Sequence, residues 1–256
     1  ITFGSNDIIF TNNSSESMRI KASSSSSSSS APDSAFILSG SNKSLTDVIN
    51  SSTSLTLNGG STLSTTSGAV LDGVNDYMTI PSSLLGFGTS DFTISFWAEC
   101  KELTSSSSGS LQLISIQYNA TNSIVIATNT NSAELIYIYD AGIGQTYNTS
   151  PAVYFHTGSG GIGSGIHHYV LTRVSGVIKL FIDKTVYISY SNTISLPTGD
   201  YHIGYSIPRN LSGDVYPAMD VYRLDIWQST GFSNVDTIYD AGYSSYNSSD
   251  YTTNIS

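Results

Sequence analysis

Phe92, Ile94, Phe96 and Ala98 alternate with Thr93, Ser95, Trp97 and Glu99. A two-residue period sends successive side chains to opposite faces of a strand, so this segment needs a core on at least one side. Runs of similar length recur at 111–117, 123–128, 133–139, 167–173, 177–182, 185–190, 201–205 and 219–227. Ser- and Gly-rich stretches at 104–109, 158–165 and 206–213 separate some of them and read as loops. No window holds a helical period over three turns; the one candidate helix is 234–241. Many short strands without helices between them predict an all-β chain, an antiparallel sandwich or barrel. Within it, Asp183-Lys184 is expected to close a tight hairpin, and Asp72-Gly73 with Asn75-Asp76 to turn the chain into a new strand.

The sandwich does not begin at the first residue. Ser23 to Ser30 is an unbroken run of serines followed by Ala31-Pro32. Polyserine has no side chains from which to build a core, so 23–34 reads as a linker, 35–245 as the sandwich and 246–256 as a tail. Ahead of the linker, two short apolar runs flank Asn12-Asn13-Ser14, the pattern of a small hairpin. A unit of about twenty residues cannot close its own core. Ile8, Ile9, Phe10, Met18 and Ile20 are therefore expected to pack on a partner or on further copies of the same chain. The sequence starts at Ile1 rather than Met, which leaves open what precedes it.

Charge narrows the partners. Only 11% of residues are charged, and the net charge is −10. A phosphate backbone is held by clustered Lys and Arg, and none cluster here, so nucleic acid is not an expected partner. No stretch approaches the ~20 apolar residues that span a bilayer. Cys100 is the single cysteine, which excludes an intramolecular disulfide and predicts a buried, inert thiol. A disulfide-free exterior protein suits an assembly built inside a bacterial cytoplasm, as a virion is.

Several segments stand in an order that resembles laminin G-like, concanavalin A-like jelly-roll domains. They are Leu55–Pro81 with its Leu-Asp-Gly-Val-Asn-Asp-Tyr signature, FTISFWAEC (Phe92–Cys100), IHHYVLTR (Ile166–Arg173), VIKLFIDKTV (Val177–Val186), YHIG (Tyr201–Gly204), MDVYRLDIW (Met219–Trp227) and SNVDTIYDAG (Ser233–Gly242). Ile166 stands where such domains carry Trp, and Asp183-Lys184 where they carry Asp-Gly. The resemblance implies two antiparallel sheets and a short closing helix. Residues 4–20, GSNDIIFTNNSSESMRI, resemble a repeat of phage tail-fibre and related virion proteins, with Ser17 in place of the usual Arg. That likeness implies a segment that trimerises into a shaft or precedes a distal domain.

A retaining glycosidase needs two carboxyls about 5–5.5 Å apart. The four Glu are Glu16, Glu99, Glu102 and Glu134, and none forms a same-face row along a strand with another acid. Catalysis is therefore not expected. His167 and His168 are adjacent and point to opposite faces of a strand, which denies them a shared metal. Calcium is the one ion left open, because the resemblance implies a rim site built from Asp side chains; Asp140, Asp200 and Asp214 lie where loops are expected. A sugar site would use exposed aromatic rings as stacking platforms. Among seventeen tyrosines, Tyr201, Tyr205 and Tyr216 flank the 206–213 loop, Tyr137 and Tyr139 share one parity of a strand, and Trp97 lies opposite the Phe92 face.

These features predict a non-enzymatic virion structural protein. Its N-terminal segment would dock on capsid or tail proteins or on copies of itself, as a trimer for example. Its sandwich would decorate the virion surface or adhere to host-surface glycans. A secreted or cell-surface carbohydrate-binding module is the alternative, and a glycoside hydrolase the reading least supported by residue spacing.

Overall fold

A computed structural model describes residues 31–101, 165–191, 195–196, 198–205 and 216–244, with 237 by its backbone alone. It also describes, as backbone strands, residues 2–3, 7–11, 17–21, 110–119, 122–129, 135–140 and 153–156. The alternating runs form two antiparallel sheets, a jelly-roll sandwich as expected. One sheet has seven strands in the order β13 (Val153–His156), β12 (Leu135–Asp140), β11 (Asn122–Asn129), β10 (Ser110–Asn119), β17 (Tyr201–Ile203), β8 (Tyr77–Ile80) and β5 (Thr56–Asn58). The other has eight. Seven run in the order β16 (Thr185–Ser191), β15 (Val177–Ile182), β14 (Ile166–Val174), β9 (Phe92–Cys100), β18 (Ala218–Trp227), β7 (Gly68–Asp72) and β6 (Thr62–Ser64), and β4 (Ser34–Ile37) also pairs with β18.

Between the sheets lies one apolar core. Phe92, Ile94, Phe96 and Ala98 of β9 enter it, as their alternation requires, and meet Met78 and Ile203 among others. Strand β18 breaks period two. Met219 and Val221 face the core, and so do Leu224 and Ile226, because a register shift between Val221 and Arg223 resets the parity. The chain joins the sandwich slightly earlier than expected: β4 starts at Ser34, and the Asp33 amide donates to Ile226 O at 2.8 Å.

Turn chemistry explains two motifs. Asp183 and Lys184 both take positive φ, 45° and 72°, the twist that a two-residue hairpin needs. Asp183 tolerates this because its carboxylate is used locally: Oδ1 accepts the His168 amide at 2.9 Å and Oδ2 lies 2.5 Å from His167 Nδ1. In the Leu71–Tyr77 signature Leu71 enters the core, and the buried polar residue is Asp76. Its carboxylate accepts the amides of Gly60, at 2.5 Å, and Asp72, at 3.1 Å, tying two turns together at the entrance to β8. Gly204, at φ +81°, lets the chain leave β17 against the core; a Cβ there would lie 2.4 Å from Leu71 Cδ1.

The N-terminal residues form their own antiparallel sheet, β1 (Thr2–Phe3), β2 (Asp7–Thr11) and β3 (Ser17–Lys21), in that order. The expected hairpin is β2–β3, with β1 added to it. Ile8 pairs with Ile20 and Phe10 with Met18, whereas Ile9 sits at the alternate register position opposite Arg19.

Candidate functional site

The outer faces of the two sheets are built differently. On the eight-stranded sheet, Trp97, His168 and Val170 point away from the core, yet none is exposed. The segment after β18 folds back over them. It carries α1 (Asp236–Asp240), started by Asn234, whose side-chain oxygen accepts the Asp236 amide at 2.8 Å. It ends at Gly242 with φ +67°. Phe232, Val235 and Ile238 pack on Val170, Phe181 and Trp227 as a second small core. Trp97 stacks on His168 at 4.6 Å between centroids and is closed over by Tyr239 and Tyr243 at 5.1 and 5.3 Å.

Beneath this strap lie buried polar groups. His168 Nε2 is 2.7 Å from Ser95 Oγ, and burial pushes its pKa down to about 3, helped by the nearby Arg223 charge. Arg223 Nε is 2.9 Å from Asp225 Oδ2, and Arg223 Nη1 donates to Gly242 O at 2.8 Å, which pins the strap. Burial raises Asp225 to about 6, against the pull of Arg223.

On the seven-stranded sheet the outward positions are covered only in part. Met78 and Ile80 of β8 face the core, so Tyr77 and Thr79 face out; on β17, Tyr201 and Ile203 face in and His202 out. The register sets Thr56, Thr79 and His202 in one row, with Tyr77 beside Asn58. Tyr77, Tyr205 and Tyr216 form a triangle of rings with centroids 5.1, 5.4 and 6.2 Å apart and planes tilted by 32° to 39°. His202 stands edge-on to it, at 87° to Tyr77 and 83° to Tyr205. Asn58 Nδ2 donates to Thr79 Oγ1 at 2.9 Å, and Thr79 Oγ1 lies 3.2 Å from His202 Nδ1. The threonine oxygen can accept from both neighbours or donate to Nδ1, so the imidazole tautomer sets the direction of that bond. Desolvation lowers the His202 pKa, with Asp200 acting in the opposite direction. Aromatic rings beside an imidazole and an amide suit a ligand that is apolar on one side and hydroxylated at its rim.

Tyr205 and Tyr216 thus come together as the sequence suggested. Two other platform candidates do not belong with them. Trp97 is 8% exposed and Tyr201 1%, because strap and core respectively cover them, so neither offers a face for stacking. Tyr137 and Tyr139 occupy β12, whose side chains lie outside the described residues; Tyr139 falls on the His202 row through Ser115 and Val125. Tyr77, Thr79, Asn58 and His202 escaped the sequence reading. The alternation of Tyr77-Met78-Thr79-Ile80 marks two of them as outward, but only strand pairing joins them to His202.

The calcium candidates do not assemble. Asp140 ends β12, three strands from the Asp200 end of β17, a lateral distance of about 14 Å that one ion with ligands at about 2.3–2.6 Å cannot bridge. Asp200 Oδ1 accepts the Ser82 amide at 2.9 Å, a turn-forming role. Asp214 lies outside the described residues. Among those described, no group of three His, Cys, Asp or Glu could hold a metal.

One carboxylate pair was invisible along the strands. Glu99 and Asp220 are cross-strand partners on β9 and β18. Asp220 is 1% exposed and held 2.7 Å from Lys101 Nζ, and Glu99 accepts the Tyr222 hydroxyl at 3.2 Å. A nucleophile must touch its substrate, and Asp220 is enclosed. Cys100 is half-buried, and burial drives its thiol up to about 12, which makes it unreactive.

No protein-family model and no curated protein sequence matches the chain. Its fold does recur among solved structures. Trypanosoma rangeli sialidase in complex with sialic acid matches with a TM-score of 0.54 and 14% identity, over 85% of this chain and 31% of the sialidase. The receptor-binding domain of botulinum neurotoxin mosaic serotype C/D matches at 0.58 and 15%, over 84% and 51%. Botulinum neurotoxin type C, which depends on interaction with two ganglioside molecules to get into cells, matches at 0.54 and 13%, over 77% and 48%. This chain therefore spans between a third and a half of these neighbours, and at such identities the likeness is one of fold.

Proposed function

We propose that this protein is a non-enzymatic display protein of a virion surface, whose sandwich adheres to host-surface glycans. The carrying observation is the contrast between the two outer sheet faces: the chain's own strap seals one, and the other keeps the Tyr77–Tyr205–Tyr216 rings half-buried beside His202. Recurrence of the same sandwich in a sialidase bound to sialic acid and in a ganglioside-dependent toxin supports a glycan partner.

The display role rests on three features of the N-terminus. Residues 4–20 resemble a tail-fibre repeat, the serine run supplies a tether, and β1–β3 pair only with one another among the described strands. In this reading the small sheet docks on capsid or tail proteins, or on its own copies as a trimer, and the tether projects the sandwich. The enclosure of Asp220 and the spacing of the other acids favour binding without turnover. Deleting residues 1–22 is expected to abolish incorporation into particles while the sandwich stays folded by circular dichroism. Normal incorporation of the truncated chain would refute the anchoring role.

A further inference from the structure

We propose that Asn58 is a site of self-modification: the backbone nitrogen of Gly59 closes on the Asn58 side-chain amide and expels ammonia, and the Thr79 hydroxyl gates the step. The site is independent of what the sandwich binds.

Two adjacent residues set the chemistry. Asn58-Gly59 is the one Asn-Gly pair in the sequence. Glycine has no Cβ to obstruct ring closure, and its backbone turns freely. Once the Gly59 N–H has given its proton to water or hydroxide, the nitrogen attacks Asn58 Cγ. The new C–N bond closes a five-membered succinimide, the Cγ–Nδ2 bond breaks, and Nδ2 takes up a proton and leaves as ammonia. Water then opens either ring carbonyl, which yields aspartate or isoaspartate. The net change is ammonia exchanged for water, and no other reactant enters.

The fold itself imposes this pair. Asn58 ends β5, and Gly59 and Gly60 form the exposed turn that follows it. Gly59 has φ +75°, and a Cβ on it would collide with Asp76 Oδ1 and the Asn75 carbonyl, so the turn excludes a side chain there. Asp76 fixes that close approach by accepting the Gly60 amide. Asn58 is required for its side chain, whose Nδ2 donates to Thr79 Oγ1 at 2.9 Å and to Thr56 O at 3.3 Å.

The same contacts make Thr79 the gate. Closure needs Asn58 Cγ to swing toward the Gly59 nitrogen, and the bond from Nδ2 to Thr79 on β8 opposes that rotation. The gate is shallow. Strand β5 has three residues, lies at the edge of its sheet and pairs with β8 alone among the described strands. Short edge elements with exposed backbone open at low cost. Conversion removes the donor from Thr79, which also meets His202 Nδ1, and isoaspartate adds one backbone atom at the Asn58–Tyr77 register.

The test incubates the full chain at mildly alkaline pH over days and follows the Asn58 peptide by mass spectrometry, with isoaspartate separated from aspartate by chromatography. The folded chain is expected to convert slowly and the urea-unfolded chain much faster. Thr79→Val, which keeps the side-chain shape and removes the acceptor, should convert about tenfold faster than the native chain, the factor that one hydrogen bond is worth. Thr79→Ser, which restores the acceptor, should return to the native rate; circular dichroism checks that both variants fold. Conversion of Thr79→Val at the native rate would overturn the gate, as would a folded chain that converts as fast as the unfolded one. An Asn58 that stays intact in the folded chain after the unfolded chain has converted would overturn the site.

Discussion

The two outer faces of this sandwich each carry a histidine among aromatic rings, and they come to opposite ends. His168 on the eight-stranded sheet is stacked under Trp97, roofed by α1 and driven to a pKa of about 3. His202 on the seven-stranded sheet meets three tyrosines but stays half-buried, with one nitrogen oriented by Thr79. Similar side chains are therefore sealed in on one face and left half-buried on the other. What separates them is a dozen residues of chain, 232–243, which return to one face only. A surface closed by the chain itself contributes to stability, because its apolar area leaves water.

This contrast can be broken experimentally. The largest effects belong under the strap. Asp225→Ala leaves the Arg223 charge buried without its carboxylate counterion and is expected to cost about 3–5 kcal/mol in chemical denaturation. Trp97→Ala should cost a similar ~3–5 kcal/mol, because it empties a site walled by His168, Tyr239 and Tyr243.

Acid response comes next. His168 has a folded pKa far below its unfolded value of 6.5, so its contribution is present above pH 6.5 and is lost as pH falls toward 3. Asp225, raised from 3.8 to about 6, acts in reverse: its contribution is full below 3.8 and is lost as pH rises through 6. Urea midpoints followed from pH 7 to 4 should fall less steeply for His168→Gln than for the native chain. An unchanged slope would mean that His168 does not report on the strap.

On the open face, Tyr77→Ala and His202→Ala should each alter stability by about 1 kcal/mol or less, while changing glycan binding. A loss comparable to that of Trp97→Ala would erase the distinction between the faces. Smallest of all is Lys184→Ala. Its ion pair with Asp240 and its place over the Tyr239 ring are solvent-exposed, and the unfolding midpoint should stay within error.

Much of this architecture was legible in the residues, because alternation in Phe92–Ala98 and its counterparts is a direct consequence of having one core-facing side. The Asp183-Lys184 hairpin was legible for the same kind of reason: a two-residue loop between alternating runs has few backbone solutions. The closing helix could be read from Asn234 and Gly242, its start and stop signals. Trp97 could not be read. Period two says that it leaves the Phe92 face, and says nothing about whether another segment arrives to cover it. The bulge that resets β18 after Val221 was equally hidden, since it exists only against the register of β9.

For the candidate site, Tyr205 and Tyr216 could be named from their positions around one loop. Their companions Tyr77 and His202 lie more than a hundred residues apart in the chain and meet because β8 pairs with β17. The Glu99–Asp220 pair has the same origin, on β9 and β18. The sequence by itself determined which residues face a core and where the chain turns, because each of these depends on neighbours in the chain. Only the tertiary structure decided which outward residues share a surface and which of them are sealed, because strand pairing and the return of the C-terminal strap are contacts between segments remote in sequence.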